Sequence, residues 1–210
     1  MKDPYKNVAS WYDKILDPFN NGLRQIGLKM FPVTEGMNIL DMGCGTGAHL
    51  KIYQEKGCNL FGIDLSPAML NMAKKKLAPD AKLELYDATN TSFPDGFFDL
   101  IYSMTVLHEM DEEVRIGVLK EADRILKPNG RILFIDFHNG PIRKLKGVVS
   151  KIVITFFEMV AGKRHFKNYR HFIRNGALPR LIKSRNFEIV DQKIVAGGTF
   201  GLFLLRKANT

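Results

Sequence analysis

Short apolar runs rich in β-branched and aromatic residues alternate along the chain with stretches whose apolar positions recur at helical spacing. This alternation is typical of a parallel sheet that carries helices on its faces. In this part of the chain we predict five strands, at 38–42, 59–64, 82–86, 98–103 and 131–137.

Three helices are predicted between these strands, at 48–56, 67–77 and 112–126. Ser66 and Pro67 mark the start of the second helix, because a serine hydroxyl can cap the first turn and proline fits the first helical position. Lys-Pro-Asn-Gly at 127–130 predicts a turn that ends the third helix before the next strand.

The C-terminal part of the chain has a different pattern. Residues 187–195 and 199–206 both have strand character and are joined through Ala-Gly-Gly, which indicates an antiparallel hairpin. We therefore predict an α/β fold with a mixed sheet of seven strands, helices on both faces and a C-terminal antiparallel hairpin. We expect residues 1–210 to form one domain, with 1–36 as an N-terminal cap and 140–185 as an insert.

The composition agrees with a folded domain, since 45% of the 210 residues are hydrophobic. No apolar segment has the length of a signal-peptide core or of a membrane-spanning helix, so we expect a cytoplasmic protein. The two cysteines, Cys44 and Cys58, fit a reducing compartment and exclude a disulfide scaffold.

Three glycines within five residues, Gly43, Gly45 and Gly47, lie between the first predicted strand and the first helix. A strand, a glycine turn and a helix start form a common place to bind a ligand against main-chain N–H groups. The spacing matches neither the Gly-x-Gly-x-x-Gly of dinucleotide sites nor a phosphate-binding loop. Cys44, within the loop, is interpreted as a small residue that fits a tight turn.

Acidic residues accompany the first three strands. Asp41, two residues before the first glycine, is well placed to contact an ammonium group. Asp64 ends the second strand, where it can accept bonds from both ribose hydroxyls. Asp87 follows the third strand, where it can contact an adenine amino group with the backbone of Ala88 beside it. An ammonium, a ribose and an adenine without phosphate describe S-adenosylmethionine.

Four motifs occur in one order along the chain: LDMGCGTG, GIDLSPAML, YDATNTSFPDGFFDLIYS and LHEMDEEVRIGVLKEADRILKPNGRILFID. In this order and spacing they resemble the class I S-adenosylmethionine-dependent methyltransferases, and the resemblance covers roughly residues 5–136. It implies a Rossmann-like sheet and S-adenosylmethionine as the cofactor. It also implies the cofactor-binding residues, which are Tyr12, Asp41, Gly43, Cys44, Gly45, Gly47, Asp64, Leu65, Asp87, Ala88 and Ser103.

Within this set the resemblance gives particular roles. The three glycines surround the methionine part of the cofactor, and Ser103 offers its backbone to the amino group. Asp64 binds the ribose and Asp87 lies on the adenine side. Tyr12 belongs to an N-terminal cap, where its ring either closes over the sulfonium or packs the helix against the domain. No metal is expected.

The catalytic residues are less defined by the sequence. The segment after the fourth strand lacks the Asn/Asp-Pro-Pro-aromatic motif of many enzymes that methylate base nitrogens, which argues against such an acceptor. His108 lies on this segment as a candidate base or orienting donor, although it could equally close a helix over the cofactor. His138 and Tyr169 are further candidate bases.

The positive charge is concentrated in one segment. The net charge is +9, but 141–185 contains twelve Lys or Arg residues and a single acid, Glu158, so this segment carries +11 and the rest of the chain −2. Apolar residues recur there at helical spacing on one face, with Lys, Arg, Ser150 and Glu158 opposite; they are Leu145, Val148, Val149, Ile152, Val153, Phe156, Phe157 and Val160. The pattern fits a helix on an anionic membrane surface or a lid helix packed on the domain, and nucleic acid is the weaker alternative.

A membrane surface suggests a lipidic acceptor and a peripheral position on the inner face of the membrane. The opening YKNVASWYDKILDPFNNGLR and the segment PVTEGMNILDMGCGTG resemble the ubiquinone/menaquinone C-methyltransferases, and almost as well the bacterial phospholipid N-methyltransferases. The expected acceptor is therefore a prenylated quinol precursor, with a phospholipid amine and a small soluble molecule as alternatives. A sensor that binds S-adenosylmethionine without turnover is the non-enzymatic alternative.

Overall fold

The computed structural model describes the backbone of residues 9–208 and the side chains of 19–208 apart from that of Lys144. Seven strands form one sheet in the order β3-β2-β1-β4-β5-β7-β6. In chain order they are β1 (Asn38–Met42), β2 (Asn59–Ile63), β3 (Lys82–Glu84), β4 (Phe98–Met104), β5 (Leu126–Phe137), β6 (Phe187–Val195) and β7 (Phe200–Lys207).

Helices connect the parallel strands and fill the insert. They are α1 (Ala9–Met30), α2 (Ala48–Gln54), α3 (Pro67–Lys76), α4 (Glu112–Ile125), α5 (Lys144–Val160), α6 (Lys163–Arg174) and α7 (Ala177–Lys183), with short 3-10 turns at Leu107–Glu109 and Ala196–Gly198. Among the described residues, no helix is long and apolar enough to cross a bilayer.

The pairing confirms the predicted mixed sheet. Strands β1 to β5 pair in parallel, whereas β7 pairs antiparallel with both β5 and β6. Most strand and helix limits lie within two residues of those predicted. Ser66 caps α3 as expected, because its Oγ accepts a hydrogen bond of 3.1 Å from the N–H of Met69.

The turn predicted at 127–130 is wrong. Strand β5 begins at Leu126, directly after α4, and the Lys-Pro-Asn-Gly segment belongs to the strand, with a register shift opposite Phe98 and Leu100. The Lys127 ammonium lies 2.8 and 2.7 Å from the two carboxylate oxygens of Asp99. This contact across the sheet holds the segment extended, and no local pattern could reveal it.

The order of the sheet creates a binding edge. Strand β1 lies between β2 and β4. From β1 the chain adds β2 and β3 on one side, and it then crosses to the other side to add β4 and β5. In open α/β sheets the crevice outside the carboxyl ends of the strands at such a switch point binds ligands. The glycine loop follows β1 here, while Ser103 lies near the end of β4 and His138 directly follows β5.

Helix α5 packs on the domain in an unusual way. Its inward residues are mostly small or polar, with Gly147 and Glu158 buried and Ser150 half-buried, and only Ile154 adds a large apolar side chain among the described residues. The apolar face predicted from the sequence points away from the domain, and each of its eight residues is 46–78% exposed. A lid helix that packs by its apolar face is therefore not what the structure contains.

Candidate cofactor and acceptor sites

The loop after β1 requires glycine at three positions. Gly43, Gly45 and Gly47 have φ angles of 80°, 52° and 73°, a region that side chains other than glycine rarely adopt. A Cβ atom on Gly43 would lie 2.6 Å from Val106 Cγ2, and one on Gly47 would lie 2.9 Å from Leu77 Cδ1. Among the described residues, a Cβ atom on Gly45 would meet no atom within 4 Å, so this part of the structure leaves the Gly45 backbone open.

Asp64 is bound to the glycine loop. Its Oδ2 accepts a hydrogen bond of 2.8 Å from the N–H of Gly45, and its Oδ1 accepts one of 2.8 Å from the N–H of Ser66. These two backbone donors fix the carboxylate in one orientation at the end of β2. The half-buried Asp64 is thus fixed beside the open backbone of Gly45, where a ribose could be held.

Asp41 lies deeper, on β1, and is almost completely buried. Burial raises the pKa of its carboxyl to about 8; the charge of Arg24 acts in the opposite direction and that of Asp64 in the same direction. An uncompensated carboxylate in such a place is costly, and an ammonium group beside it would favour the ionised form. The position therefore suits the cationic end of a ligand.

The side chains of Cys44 and Ser103 are buried and serve the packing of the sheet edge. Burial raises the pKa of the Cys44 thiol, with the charges of Asp41 and Asp64 adding to the effect, so the thiol is not a reactive nucleophile. The Ser103 hydroxyl donates a hydrogen bond of 2.8 Å to the carbonyl of Met42 and joins the ends of β1 and β4. Leu65, in contrast, is 66% exposed beside Asp64.

Asp87 and Ala88 follow β3, the strand at one end of the sheet order. Asp87 is exposed, and its Oδ1 accepts hydrogen bonds from the N–H and the hydroxyl of Thr89, at 2.9 and 2.8 Å. This local turn orients the carboxylate, and Ala88 beside it is half-buried. The side chain of Tyr12, on α1, lies outside the described residues.

A second group of polar residues surrounds His108, in the turn Leu107–Glu109. His108 Nδ1 lies 2.7 Å from Asp136 Oδ1, and its Nε2 lies 3.5 Å from Glu158 Oε1. Glu158 Oε2 in turn lies 2.7 Å from His165 Nε2. The sequence prediction included His108 but missed Asp136 and His165, and it noted Glu158 only as the single acid of a basic segment.

The charges of this cluster are strongly coupled. Burial alone would lower the pKa of His108, but Asp136 and Glu158 overcome that effect and raise it to about 10. Burial would raise the pKa of Glu158, but His108 and His165 hold it at about 2. The pKa of His165 is raised as well, since Glu158 and Glu109 outweigh its burial.

Next to this cluster lies a cavity of about 50 Å³, between the end of β5, α5 and α6. Its polar lining includes His138, Asn139, Tyr169 and Thr199, and Lys151 and Ile154 reach it from α5. Burial lowers the pKa of His138, although the Gly198 carbonyl opposes this, so the ring is neutral at pH 7. Burial raises the pKa of Tyr169, which therefore keeps its phenolic proton. His108 does not line this cavity.

His49, at the start of α2, is not among the site residues predicted from the sequence. Its ring stacks on that of Tyr102 with the centroids 3.4 Å apart, and its two nitrogens are buried without a hydrogen-bond partner among the described residues. Burial holds its pKa well below the usual value, with the charge of Arg24 adding to the effect. His49 is therefore neutral and part of the packing behind the glycine loop.

The part of the chain that matches known proteins includes this edge of the sheet. Residues 40–134 match the family described as methyltransferase domain, a range that begins at β1 and includes the glycine loop, Asp64 and Ser103. This chain is an S-adenosylmethionine-dependent methyltransferase. Its cofactor is S-adenosylmethionine, and the methyltransferase resembles enzymes of the same kind in both sequence and structure.

Two sequence relatives and one solved structure are examples of this similarity. The chain is 35% identical over 143 residues to the demethylmenaquinone methyltransferase of Tropheryma whipplei, which covers 65% of this chain and 59% of that one. It is 26% identical to the ubiquinone/menaquinone biosynthesis C-methyltransferase of Cupriavidus metallidurans, over 97% of this chain and 90% of that one. The fold matches a TehB-like methyltransferase from Corynebacterium glutamicum with a TM-score of 0.62 and 20% identity, over 95% of this chain and 97% of that one.

Proposed function

We propose that this methyltransferase acts on a lipidic acceptor, a prenylated quinol precursor that it methylates on a ring carbon at the surface of an anionic membrane. The observation that carries the proposal is the outward apolar face of α5. The same helix contributes Lys151 and Ile154 to the cavity at the end of β5. An acceptor partly embedded in the membrane could therefore reach the site along this helix.

The apolar face of α5 has the properties of an interfacial helix. Large side chains cover it along its full length, from Leu145 (78% exposed) to Val160 (69% exposed). An apolar patch of this extent is uncommon on a monomer that only contacts water. At 100° per residue, Lys146 lies at the margin of the apolar face, between Val153 and Phe157, and it is exposed.

Charge supports an anionic lipid surface as the partner. Exposed cations extend the same region onto α6, at Lys163, Lys167 and Arg170, while the exposed Arg164 is paired with Asp111 at 2.7 Å. Each such residue near an anionic membrane contributes about 1 kcal/mol to binding. Because Glu158, the single acid of 141–185, is buried, no acidic side chain of this segment offsets these cations at the surface.

The relatives support the choice of acceptor. The Tropheryma and Cupriavidus enzymes are named for demethylmenaquinone and for ubiquinone and menaquinone biosynthesis. An acceptor of that class joins an aromatic ring to a long apolar tail. The tail would remain among the lipids beside α5 while the ring enters the protein.

The chemistry is an in-line displacement that needs one base. We assign that role to the neutral His138, which lines the cavity. The quinol hydroxyl gives its proton to His138, and the ring carbon made nucleophilic in this way attacks the methyl group. S-adenosylmethionine, when bound, would supply the methyl group and keep the electrons of the broken carbon–sulfur bond on its sulfur. The ring proton would leave to water, and His138 would return its proton to the quinol oxygen, which restores the aromatic hydroxyl compound. A cavity of about 50 Å³ is smaller than a ligand pocket, so ring entry requires α5 to shift at the membrane.

Incubation with methyl-labelled S-adenosylmethionine and a total lipid extract tests the acceptor. We expect the label in a prenylated aromatic product. Label in a phospholipid headgroup would overturn the quinol assignment and keep the lipidic one. Label only with the aqueous extract would overturn both, and cofactor binding without transfer to any fraction would indicate a sensor.

Sedimentation with vesicles tests whether the apolar face of α5 binds an anionic membrane. Wild-type protein should sediment with anionic vesicles at low salt and be released at high salt, since exposed charges are screened. Phe156→Ser with Phe157→Ser should abolish sedimentation and leave cofactor affinity unchanged. A matched control is Ile189→Ser with Val190→Ser, an exposed apolar pair on β6. Wild-type protein that stays in the supernatant at low salt would overturn the membrane proposal.

A further inference from the structure

Three metal-ligating side chains from separate parts of the chain meet next to the acceptor cavity. His108 comes from the turn after β4, Glu158 from the last turn of α5 and His165 from the first turn of α6. One ligand atom of each lies within 4.8 Å of those of the other two. We propose that His108, Glu158 and His165 bind a divalent transition metal ion of the zinc type.

The chemistry of the three donors supports this class of metal. Two imidazoles and one carboxylate form the ligand set of many zinc and non-haem iron(II) sites, in which further positions remain for water or substrate. Calcium and magnesium prefer oxygen donors and would be poorly served by two imidazole nitrogens. The proposal goes beyond the methyl transfer and does not depend on the identity of the acceptor.

The orientation of His108 is that of a metal ligand. Its Nδ1 faces Asp136 at 2.7 Å, so a proton on Nδ1 points at the carboxylate and leaves the Nε2 lone pair toward Glu158 and His165. A histidine that donates its other N–H to a carboxylate is the usual arrangement around protein-bound metals. Asp136 is itself fixed, because it accepts hydrogen bonds from the N–H groups of His108 and Phe137.

Glu158 and His165 are in close polar contact. Glu158 Oε2 is buried and accepts no aligned hydrogen bond from the described residues, although His165 Nε2 lies only 2.7 Å away. A buried polar atom in this state needs a partner, and a metal ion between the atoms would supply one.

The local charge also favours a cation. Glu109 adds a second carboxylate, with Oε1 3.9 Å from His108 Nε2 and Oε2 3.9 Å from His165 Nδ1. Together with Asp136 and Glu158 this gives three carboxylates around two imidazoles. The neighbouring Arg115 directs its N–H groups at the carbonyls of Leu107, His108 and Asn168 instead of at these acids.

The same polar contacts make the ligand positions rigid. Arg115 joins the backbone of the turn Leu107–Glu109 to α6, and Asn168 Nδ2 donates a hydrogen bond of 2.7 Å to the Glu109 carbonyl. Ligands held by a fixed surrounding shell bind a metal without reorganisation. The site adjoins the acceptor cavity, since the His108 ring lies 4.4 Å from that of Phe137, which lines it.

The test uses the full chain, stripped with a chelator and loaded with Co²⁺ or Zn²⁺. We expect about one ion per chain by elemental analysis, and intense visible absorption of the Co²⁺ form, which indicates low coordination number with nitrogen donors. Glu158→Gln and His165→Asn should each reduce bound metal to background and abolish the absorption. His171→Asn, on the same helix and 44% exposed, is the matched control and should bind as wild type does.

Circular dichroism melting of each variant separates loss of the site from loss of the fold. Since His165 is partly exposed, His165→Asn should remain folded. This variant decides the test if Glu158→Gln fails to fold. Wild-type protein without stoichiometric Zn²⁺ or Co²⁺ would overturn the proposal, and so would variants that bind as much metal as wild type. The cluster would then be an ion-pair network only. Methyl transfer is not the readout, so this result is independent of the acceptor experiment.

Discussion

The N–H of Gly45 donates a hydrogen bond of 2.8 Å to Asp64 Oδ2, and this bond joins a loop glycine that the described residues leave open to the acid at the end of β2. The two residues are therefore neighbours at the carboxyl edge of the sheet. Any ligand that contacts the backbone of Gly45 also lies within reach of Asp64. Cofactor affinity should accordingly depend on this carboxylate.

The first prediction is that Asp64→Asn weakens S-adenosylmethionine binding by at least about tenfold. The amide has one acceptor oxygen where the carboxylate has two, and a hydrogen bond to a charged group contributes about 1.5–3 kcal/mol. Titration calorimetry measures the change. Asp191→Asn, an exposed acid on β6, is the control and should bind normally. Equal affinity in the two variants would show that Asp64 does not contact the ribose.

The second prediction concerns Asp41 and stability. The pKa of Asp41 is raised from 3.8 to about 8, so between these pH values the unfolded chain releases a proton that the folded chain retains. The free energy of unfolding therefore falls as pH rises from about 4 to about 8, by about 1.4 kcal/mol for each unit of difference in pKa. Asp41→Asn removes this cost and should be more stable than wild type at pH 8, but not at pH 4.

Urea denaturation at pH 4, 6 and 8 measures this trend, with the exposed Asp80→Asn as a control. The same Asp41→Asn variant should bind S-adenosylmethionine more weakly, because the amide cannot balance an ammonium charge. A variant that is less stable than wild type at every pH would contradict the prediction. The pair of measurements thus separates the folding cost of Asp41 from its use in binding.

The third prediction concerns His138 as the base. His138→Gln should lower kcat by about 10²- to 10⁴-fold, the usual contribution of a general base, and leave cofactor affinity unchanged. Because burial lowers the pKa of His138 from 6.5, the wild-type kcat should fall only below pH 6.5. The fall of kcat at low pH should be absent from the residual activity of His138→Gln. His171→Gln serves as the control, and an unchanged kcat in His138→Gln would exclude the assigned role.

The fourth prediction concerns Arg115, which binds three main-chain carbonyls between the turn Leu107–Glu109 and α6. Arg115→Met should reduce the free energy of unfolding by about 2–4 kcal/mol, because buried carbonyls lose their donors. Chemical denaturation measures this, with Arg174→Met on the exposed side of α6 as the control. A loss no greater than that of the control would mean that water replaces the guanidinium.

The glycine loop and the parallel strands could be predicted because their signals are local. The apolar runs fix the strands, and the positions of Gly43, Gly45 and Asp64 follow directly from where those strands end. The start of β5 could not be predicted in the same way. Lys127 and Asp99 are close only after β4 and β5 have paired, so the turn chemistry of Pro128 and Asn129 gave the wrong result.

The cluster around His108 was beyond local patterns for a related reason. Its members come from four elements and span residues 108–165, and only the folded chain brings them together. One sequence signal did exist, since Glu158 is the single acid among twelve cations. The orientation of α5 was also unpredictable, because it depends on the close approach of Gly147 to Gly197, where a Cβ atom on Gly147 would lie within van der Waals overlap of the Gly197 carbonyl.

The outward face of α5 has a consequence for the molecule in dilute buffer. Without lipid, water covers side chains such as Phe156 and Phe157, and two copies can lower their free energy by placing these faces together. Mild detergent should disperse such pairs, because a micelle offers the same burial to each copy. Self-association in plain buffer would therefore be a substitute for the bilayer, and a sedimentation coefficient measured there would report on the solvent as much as on the protein.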